Sequence, residues 1–520
     1  MNKPFVKTII VTLLLGPVAG SASAFDQSSL VRGKCVACHS AENGKLAHIE
    51  DLRTTPEEWT VIVDRMRRLY GMRVETGEMA TLLKELCATQ ILTPDEAAQV
   101  AYINLFNNPQ TIETPSGDDE KQLFSTCVRC HSAAKIYSYR MTESAWEKLR
   151  DFHLYIDPAI MAQMREMHWR IEADTALKRL AKKLPYERAW TAPKAKPDGE
   201  WLLLGVEPGK GSYRGKARLK SIGDDEYALQ GELSFSDGTF ETFSGEATLF
   251  GGYALRTRTN QNGSATMGAF SFLDGTISGE HHHQAPNFRT SSSTWFPITQ
   301  ESRALRITPG YLLTGEETKI LIEGIRLPEV TAKDIAISAD EVDVLQATTT
   351  SPETIEVLLV YRGAGHGSAR LSVKGLEAGS MKLVPRIDYL SVSPATGRAR
   401  VNGGINYPAE GVQFQAFAWS RGTDADNPTD DYLLGPVAAD FSLAEEKTRP
   451  LDDDLVHLGA IEADGTYLPS GDYNPIPSRE YGGEGTGMVK VIAQYTRGAI
   501  PYTAEGLLVV TVPDYIQRLK

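Results

Sequence analysis

The chain has 520 residues, of which 41% are hydrophobic, long enough for about three or four domains with separate cores. Its 54 Lys+Arg against 67 Asp+Glu give a formal net charge of −13. Much of that charge is ordinary solvated surface, but the sign argues against nucleic acid and anionic membrane surfaces, and for any docking partner with a basic face.

The first residues read as a secretory leader rather than a fold element. Lys3 and Lys7 supply a positive start, Ile9 to Val18 an apolar stretch, and Ala22-Ser23-Ala24 a small-residue cleavage site. The expected mature chain begins at Phe25, after cleavage behind Ala24, in a bacterial periplasm. No later run approaches the roughly 20 apolar residues of a membrane helix, so no membrane span is expected.

Cys35-Val36-Ala37-Cys38-His39 follows, and the pattern returns at Cys127-Val128-Arg129-Cys130-His131. C-x-x-C-H is the attachment string of a c-type haem. Two thiols separated by two residues reach the two vinyl groups of one porphyrin, and the next histidine falls beneath the ring as an iron ligand. A zinc knuckle would want four ligands gathered at one site, whereas these two groups stand far apart, each with its own histidine. The reading is two covalently bound haem c groups, with thioethers at Cys35, Cys38, Cys127 and Cys130 and proximal ligands at His39 and His131. Cys87 is left without a partner in an apolar helical run, Thr81 to Cys87, and reads as a packed thiol.

Residues 25–190 carry helical periodicity. Thr55-Pro56-Glu57-Glu58 is a capping box with proline at the first helical position, followed by Trp59, Ile62, Val63, Met66, Leu69 and Tyr70 along one stripe. Thr93-Pro94-Asp95-Glu96 repeats the signal before Val100, Tyr102, Ile103 and Leu105. The second haem string is likewise followed by Thr142 to Trp146, Leu149 and His153. Met66 lies seven residues after Trp59, and His153 seven after Trp146. Seven residues is close to two helical turns, so each pair shares a helix face. Both later residues are competent iron ligands, which predicts His39/Met66 at one haem and His131/His153 at the other. His48, Met72 and Met79 compete for the first iron; Met141, Met161, Met164, Met167 and His168 compete for the second. Unlike ligands would give the haems unlike potentials, and two filled axial positions would leave an electron conduit rather than a site for peroxide or oxygen chemistry.

A Pro-rich linker at 191–199 ends the helical pattern. Residues 200–302 alternate in short runs punctuated by Asp237-Gly238 and Asp274-Gly275, as in an antiparallel barrel. Residues 303–385 carry strand runs of immunoglobulin-like sandwich spacing, and 386–520 a further β-sandwich with long loops. The expected fold class is therefore multidomain α plus all-β: a helical di-haem cytochrome c domain followed by three antiparallel β-barrel or β-sandwich domains. In the β region, His281-His282-His283 invites a metal, but strand neighbours point to opposite faces. Only His281 and His283 could converge, and the sequence shows no third ligand. Asp424 to Pro428 begins like a calcium loop and then breaks the pattern; Gly482 to Gly487 reads as a flexible loop.

This order of parts resembles the α subunit of quinohaemoprotein amine dehydrogenase. The resemblance implies a heterotrimer in which a small γ subunit carries cysteine tryptophylquinone and a β-propeller forms the third chain. It also implies oxidative deamination of primary amines to aldehyde and ammonia, with this chain passing electrons to a soluble periplasmic copper protein or cytochrome c. No catalytic residue is expected here, since the quinone is made on another chain. Two other readings stay open: a stand-alone di-haem cytochrome c peroxidase, and a cytochrome fused to β binding modules.

Overall fold

The computed structural model describes residues 25–512 apart from 43, 76, 106–109, 111, 188–189, 285–287, 403–408, 425–426 and 470–484. The leader, Asp426 and residues 482–484 of the glycine-rich loop lie outside the described residues. A helical region precedes an all-β remainder, the architecture expected from the two periodicities.

The helical region is built from two halves packed face to face. Helices Leu30–Cys35, Pro56–Tyr70 and Glu78–Thr89 belong to the first, and Asp118–Cys127, Glu143–Ile156 and Trp169–Lys183 to the second. Thr55 and Thr142 cap the helices of Trp59 and Trp146, their hydroxyls accepting from the Glu58 and Ala145 N–H groups. Arg53 and Arg140 each stand six residues before their tryptophan, and the two meet in a short antiparallel ladder, Leu52↔Met141 and Arg53↔Arg140. Equivalent residues thus pair with each other, as across a two-fold axis. One carboxylate serves both: Glu96 accepts from Arg53 Nη1 at 2.7 Å and from Arg140 Nε at 3.1 Å, and all three residues are buried.

Glu96 also closes the capping box on Thr93, at 2.8 Å. The helix it caps is short, Pro94–Ala98, followed by a single 3-10 turn at Ala101–Ile103. The apolar spacing through Leu105 suggested a longer helix. Anchoring of Glu96 by two arginines fixes the start of this helix, and Val100 leaves helical geometry to bury against Leu92 and Ala134.

Strands between Gly199 and Pro297 form an eight-stranded barrel, each strand antiparallel to the next and the last (Thr290–Pro297) closing on the first. Inward residues such as Trp201, Leu203, Tyr227, Phe270 and Trp295 fill it, and closure removes the exposed edges an open sheet would present. The barrel is welded to the first helical half. Phe250, Tyr253 and Ala254 enter the core of Trp59, Leu82 and Cys87. Tyr253 Oη donates to Leu92 O at 2.9 Å, and Trp190 Nε1 to Gly251 O at 2.7 Å. A Cβ at Gly251, whose φ is +55°, would fall 2.9 Å from Ile91 Cδ1, so only glycine fits this approach. Cys87 is fully buried here and burial pushes its thiol pKa well up, the state of a packed, inert cysteine.

Two further pairs of sheets complete the chain, each around its own core. They are not wholly antiparallel as expected. Tyr311–Leu313 runs parallel to Leu376–Val384, and Thr396–Arg400 parallel to Ile500–Thr511. The same device produces both. Strands Arg303–Thr308 and Tyr389–Ser393 are interrupted at Pro309 and Pro394, which have no N–H for the ladder. The chain then continues in the same direction but joins the facing sheet.

Candidate functional site: the two haem strings

At the first string, one helical turn brings the ligand round. The N–H groups of Cys38 and His39 both donate to Cys35 O, at 3.1 and 2.9 Å. His39 Nδ1 lies 3.0 Å from Ala47 O. That bond fixes the tautomer with the proton on Nδ1, leaving the Nε2 lone pair for a metal. Burial lowers the His39 pKa, which favours the neutral, ligating form.

The second string shows the same arrangement on both sides of a gap. His131 Nδ1 is 3.1 Å from Ser132 O, and His153 Nδ1 is 2.8 Å from Leu149 O one turn back on its own helix. The two rings face each other with centroids 6.4 Å apart and planes at 45°. Two metal–imidazole bonds of about 2 Å each, plus the reach from each nitrogen to its ring centre, would fill that span. Burial lowers the His153 pKa as well. Trp169 stands 6.2 Å from the His153 ring and packs with Ile160, Met164 and Ala173. Met164 is therefore wall, and the Met-rich stretch is only partly helical: Ile160–Gln163, then a break before Trp169.

Distal of the first string the picture differs. Met66 is half-buried on helix Pro56–Tyr70, and Met72 and Met79 pack against the core that includes Cys35 and Trp59. The His48 ring stands 6.1 Å from that of His39, at 71°, on an exposed residue with φ +67°. The structure brings His131 to His153.

No disulfide joins any two of the five cysteines. Burial pushes Cys35 up to about 11 and Cys127 up to about 12, with the neighbouring string cysteine adding to each. Reactive dithiols carry the opposite shift. Among the described residues of the helical region one buried polar atom is unaccounted for: Trp146 is 1% exposed, yet its indole N–H has no hydrogen-bond partner. The equivalent Trp59 donates to Gln90 O at 2.7 Å. Trp146 packs with Cys127 and Val128, so an acceptor carried by a porphyrin would satisfy it. The residues fit haem on three counts: paired imidazoles at ligand spacing, outward Nδ1 bonds, and a donor awaiting an acceptor. Sequence reasoning did not foresee the Arg53–Glu96–Arg140 group that holds the halves together, although the equal distance of both arginines from their tryptophans signals it.

Three family models match the chain. "Quinohemoprotein amine dehydrogenase A, alpha subunit, haem binding" covers residues 26–190, domain II of that α subunit covers 194–290, and domain IV covers 390–519. Among curated proteins none matches. Similar solved structures include the redesigned β barrel mFAP0 bound to DFHBI, at 13% identity and TM-score 0.17, over 19% of this chain and 96% of that one. SGBP-B of the Bacteroides ovatus mixed-linkage glucan utilization locus, with a heptasaccharide, matches at 10% identity and TM-score 0.17 over 60% of each chain. Invasin, a bacterial integrin-binding protein, matches at 11% identity and TM-score 0.14, over 60% of this chain and 72% of that one. Helical haem-binding and β portions alike match one family along most of their length, so the chain belongs to the haem-binding α subunits of quinohemoprotein amine dehydrogenase.

Proposed function

We propose that this chain is the electron-transfer subunit of a periplasmic amine dehydrogenase. It would carry two haem c groups, held through Cys35 and Cys38 with His39, and through Cys127 and Cys130 with His131. Haem c supplies a one-electron couple whose potential follows its axial ligands. The chain's own residues do the rest. Ala47 O, Ser132 O and Leu149 O orient three imidazoles, and Trp169, Met164 and Ile160 exclude water beside His153. His153 is the proposed distal ligand of the second haem and Met66 that of the first, with Met72, Met79 and His48 as the alternatives the test must separate. The observation that supports the reading most is the facing pair His131 and His153, 6.4 Å apart with both Nδ1 atoms occupied.

An α subunit is one member of a multisubunit amine dehydrogenase, and the finer partnership follows the family resemblance. A small γ subunit carrying cysteine tryptophylquinone oxidises a primary amine to aldehyde and ammonia, and a β-propeller subunit completes the heterotrimer. Electrons leave this chain singly for a soluble copper protein or cytochrome c. The leader, cleaved after Ala24, would deliver the chain to the periplasm. No helix among the described residues is long and apolar enough to cross a membrane.

A pyridine haemochrome assay on the purified chain should report two haems per polypeptide, with low-spin spectra in the oxidised state. Fewer than two would sink the di-haem assignment. A high-spin component that binds cyanide would favour a peroxidase, and a stable isolated monomer at native expression would count against the subunit assignment.

A further inference from the structure

The barrel gathers a second set of metal-ligating groups, remote in sequence from the haem strings. His281 and His283 share one face of strand Thr276–His283 with Ile277, which points into the barrel core. Glu207 ends strand Gly199–Glu207 on the inward face of Trp201 and Leu203. The intervening strand Thr290–Pro297 pairs with both and places Ser291 between them. Glu207, His281 and His283 each offer a ligand atom, all within 4.8 Å of one another.

These atoms are buried and short of partners. Glu207 is 0% and His283 5% exposed; His281 Nε2 and His283 Nε2 make no hydrogen bond, and Glu207 Oε1 is met by an ammonium alone. His283 Nε2 is 3.9 Å from Glu207 Oε2, too far for one. A lone unpaired group inside a barrel is costly; two acceptor nitrogens converging on one carboxylate ask for a cation. The surroundings supply orientation. Ser291 Oγ donates to Glu207 Oε2 at 2.7 Å, and His283 Nδ1 lies 3.4 Å from Ser264 Oγ, which leaves Nε2 facing inward.

Lys210 is the competing cation. Its ammonium sits 3.1 Å from Glu207 Oε1, but also 2.5 Å from Glu241 Oε1 and over the Phe235 ring. Lys210 can therefore release Glu207 and remain paired with Glu241, which itself accepts from Gln261 Nε2 at 2.6 Å.

We propose that Glu207, His281 and His283 form a binding site for a divalent transition-metal ion of zinc-like preference at one end of the barrel. Two imidazoles and a carboxylate suit zinc and its first-row neighbours rather than calcium or magnesium, and leave one coordination position open. The site ties the first barrel strand to the seventh across the closure. It shares no residue with the haem strings.

The test uses the tag-free, haem-loaded full chain, stripped with chelator and titrated with ZnCl₂ by calorimetry. One zinc per chain is expected, and X-ray absorption at the zinc edge should show a nitrogen/oxygen shell at about 2.0–2.2 Å with no sulfur. His283→Ala and Glu207→Gln should each weaken binding by more than about 100-fold, the upper end for loss of a mere outer-shell partner. His282→Gln, on the opposite face of the same strand, should leave it unchanged. No stoichiometric uptake by the stripped wild-type chain overturns the site, whatever the variants do. So does a zinc shell containing sulfur, or a His282→Gln loss as large as that of His283→Ala. In any of those cases Lys210 alone balances Glu207.

Discussion

The two halves of the helical region began from one pattern and differ where function would need them to. Each has a haem string, a threonine-capped helix, a buried tryptophan, and a ligand candidate seven residues on. In the second half the candidate is an imidazole facing another imidazole; in the first it is a thioether on a half-buried helix face. The tryptophans diverge too, one donating to a carbonyl and one left without an acceptor. A repeat conserves what packs, because helix faces and caps must fit the shared arginine ladder. What surrounds each iron position is free to change, and with it the potential.

The comparison breaks most drastically if one string is removed. Cys127→Ala with Cys130→Ala should halve the haem content in the pyridine haemochrome assay and leave the spectrum of the first site. Retention of both haems would mean that the second string holds none. Next in size is the link between the halves. Glu96→Gln leaves two buried guanidinium groups without their carboxylate and should destabilise the helical region by about 3–5 kcal/mol, read by denaturant unfolding of the Soret band. The Glu96 carboxyl is also pH-sensitive. Burial alone would raise its pKa, but Arg53, the Thr93 N–H and Arg140 hold it below 4.5. The stability it contributes is therefore complete above the ordinary carboxylate value and is lost as pH falls through the depressed one. A transition that stays flat across that acid range would show Glu96 to be uncoupled.

The ligand asymmetry gives a smaller, sharper test. Met66→Ala should lower the potential of one haem and abolish a methionine–iron charge-transfer band, whereas His153→Ala should perturb only the other haem. Wild-type spectra from both variants would overturn the internal alignment, and loss of that band in Met72→Ala or Met79→Ala instead would reassign the first ligand. The smallest contrast lies in the tryptophans. Trp59→Phe removes a made hydrogen bond and should cost about 1 kcal/mol more in haem-free protein than Trp146→Phe, whose N–H has no protein acceptor to lose. Equal costs in thermal unfolding would mean that the two indoles are equivalent after all.

Much of this was legible early because its signals are local. C-x-x-C-H is five residues of one chain segment, capping boxes span four, and hairpin turns two. The change from a helical to an alternating period near residue 199 marks the change from helices to strands. What escaped was set by closure and by packing between distant segments. The prolines at 309 and 394 are visible, but not that the chain there crosses to the facing sheet. The helix after Thr93 was expected to run on, because its apolar spacing continues past the point where burial of Val100 bends it away.

The amino-acid sequence by itself determined the class of chemistry, since covalent attachment and proximal ligation of a haem need residues that are neighbours along the chain. It also determined the α-then-β order, since side-chain period is a backbone property. Only the tertiary structure could decide which residues meet across space. Glu96 stands between Arg53 and Arg140 because the halves pack around an axis, and Glu207 joins His281 and His283 because a barrel closes its last strand on its first. Such meetings are fixed by burial and strand register rather than by spacing, and no count along the chain contains them.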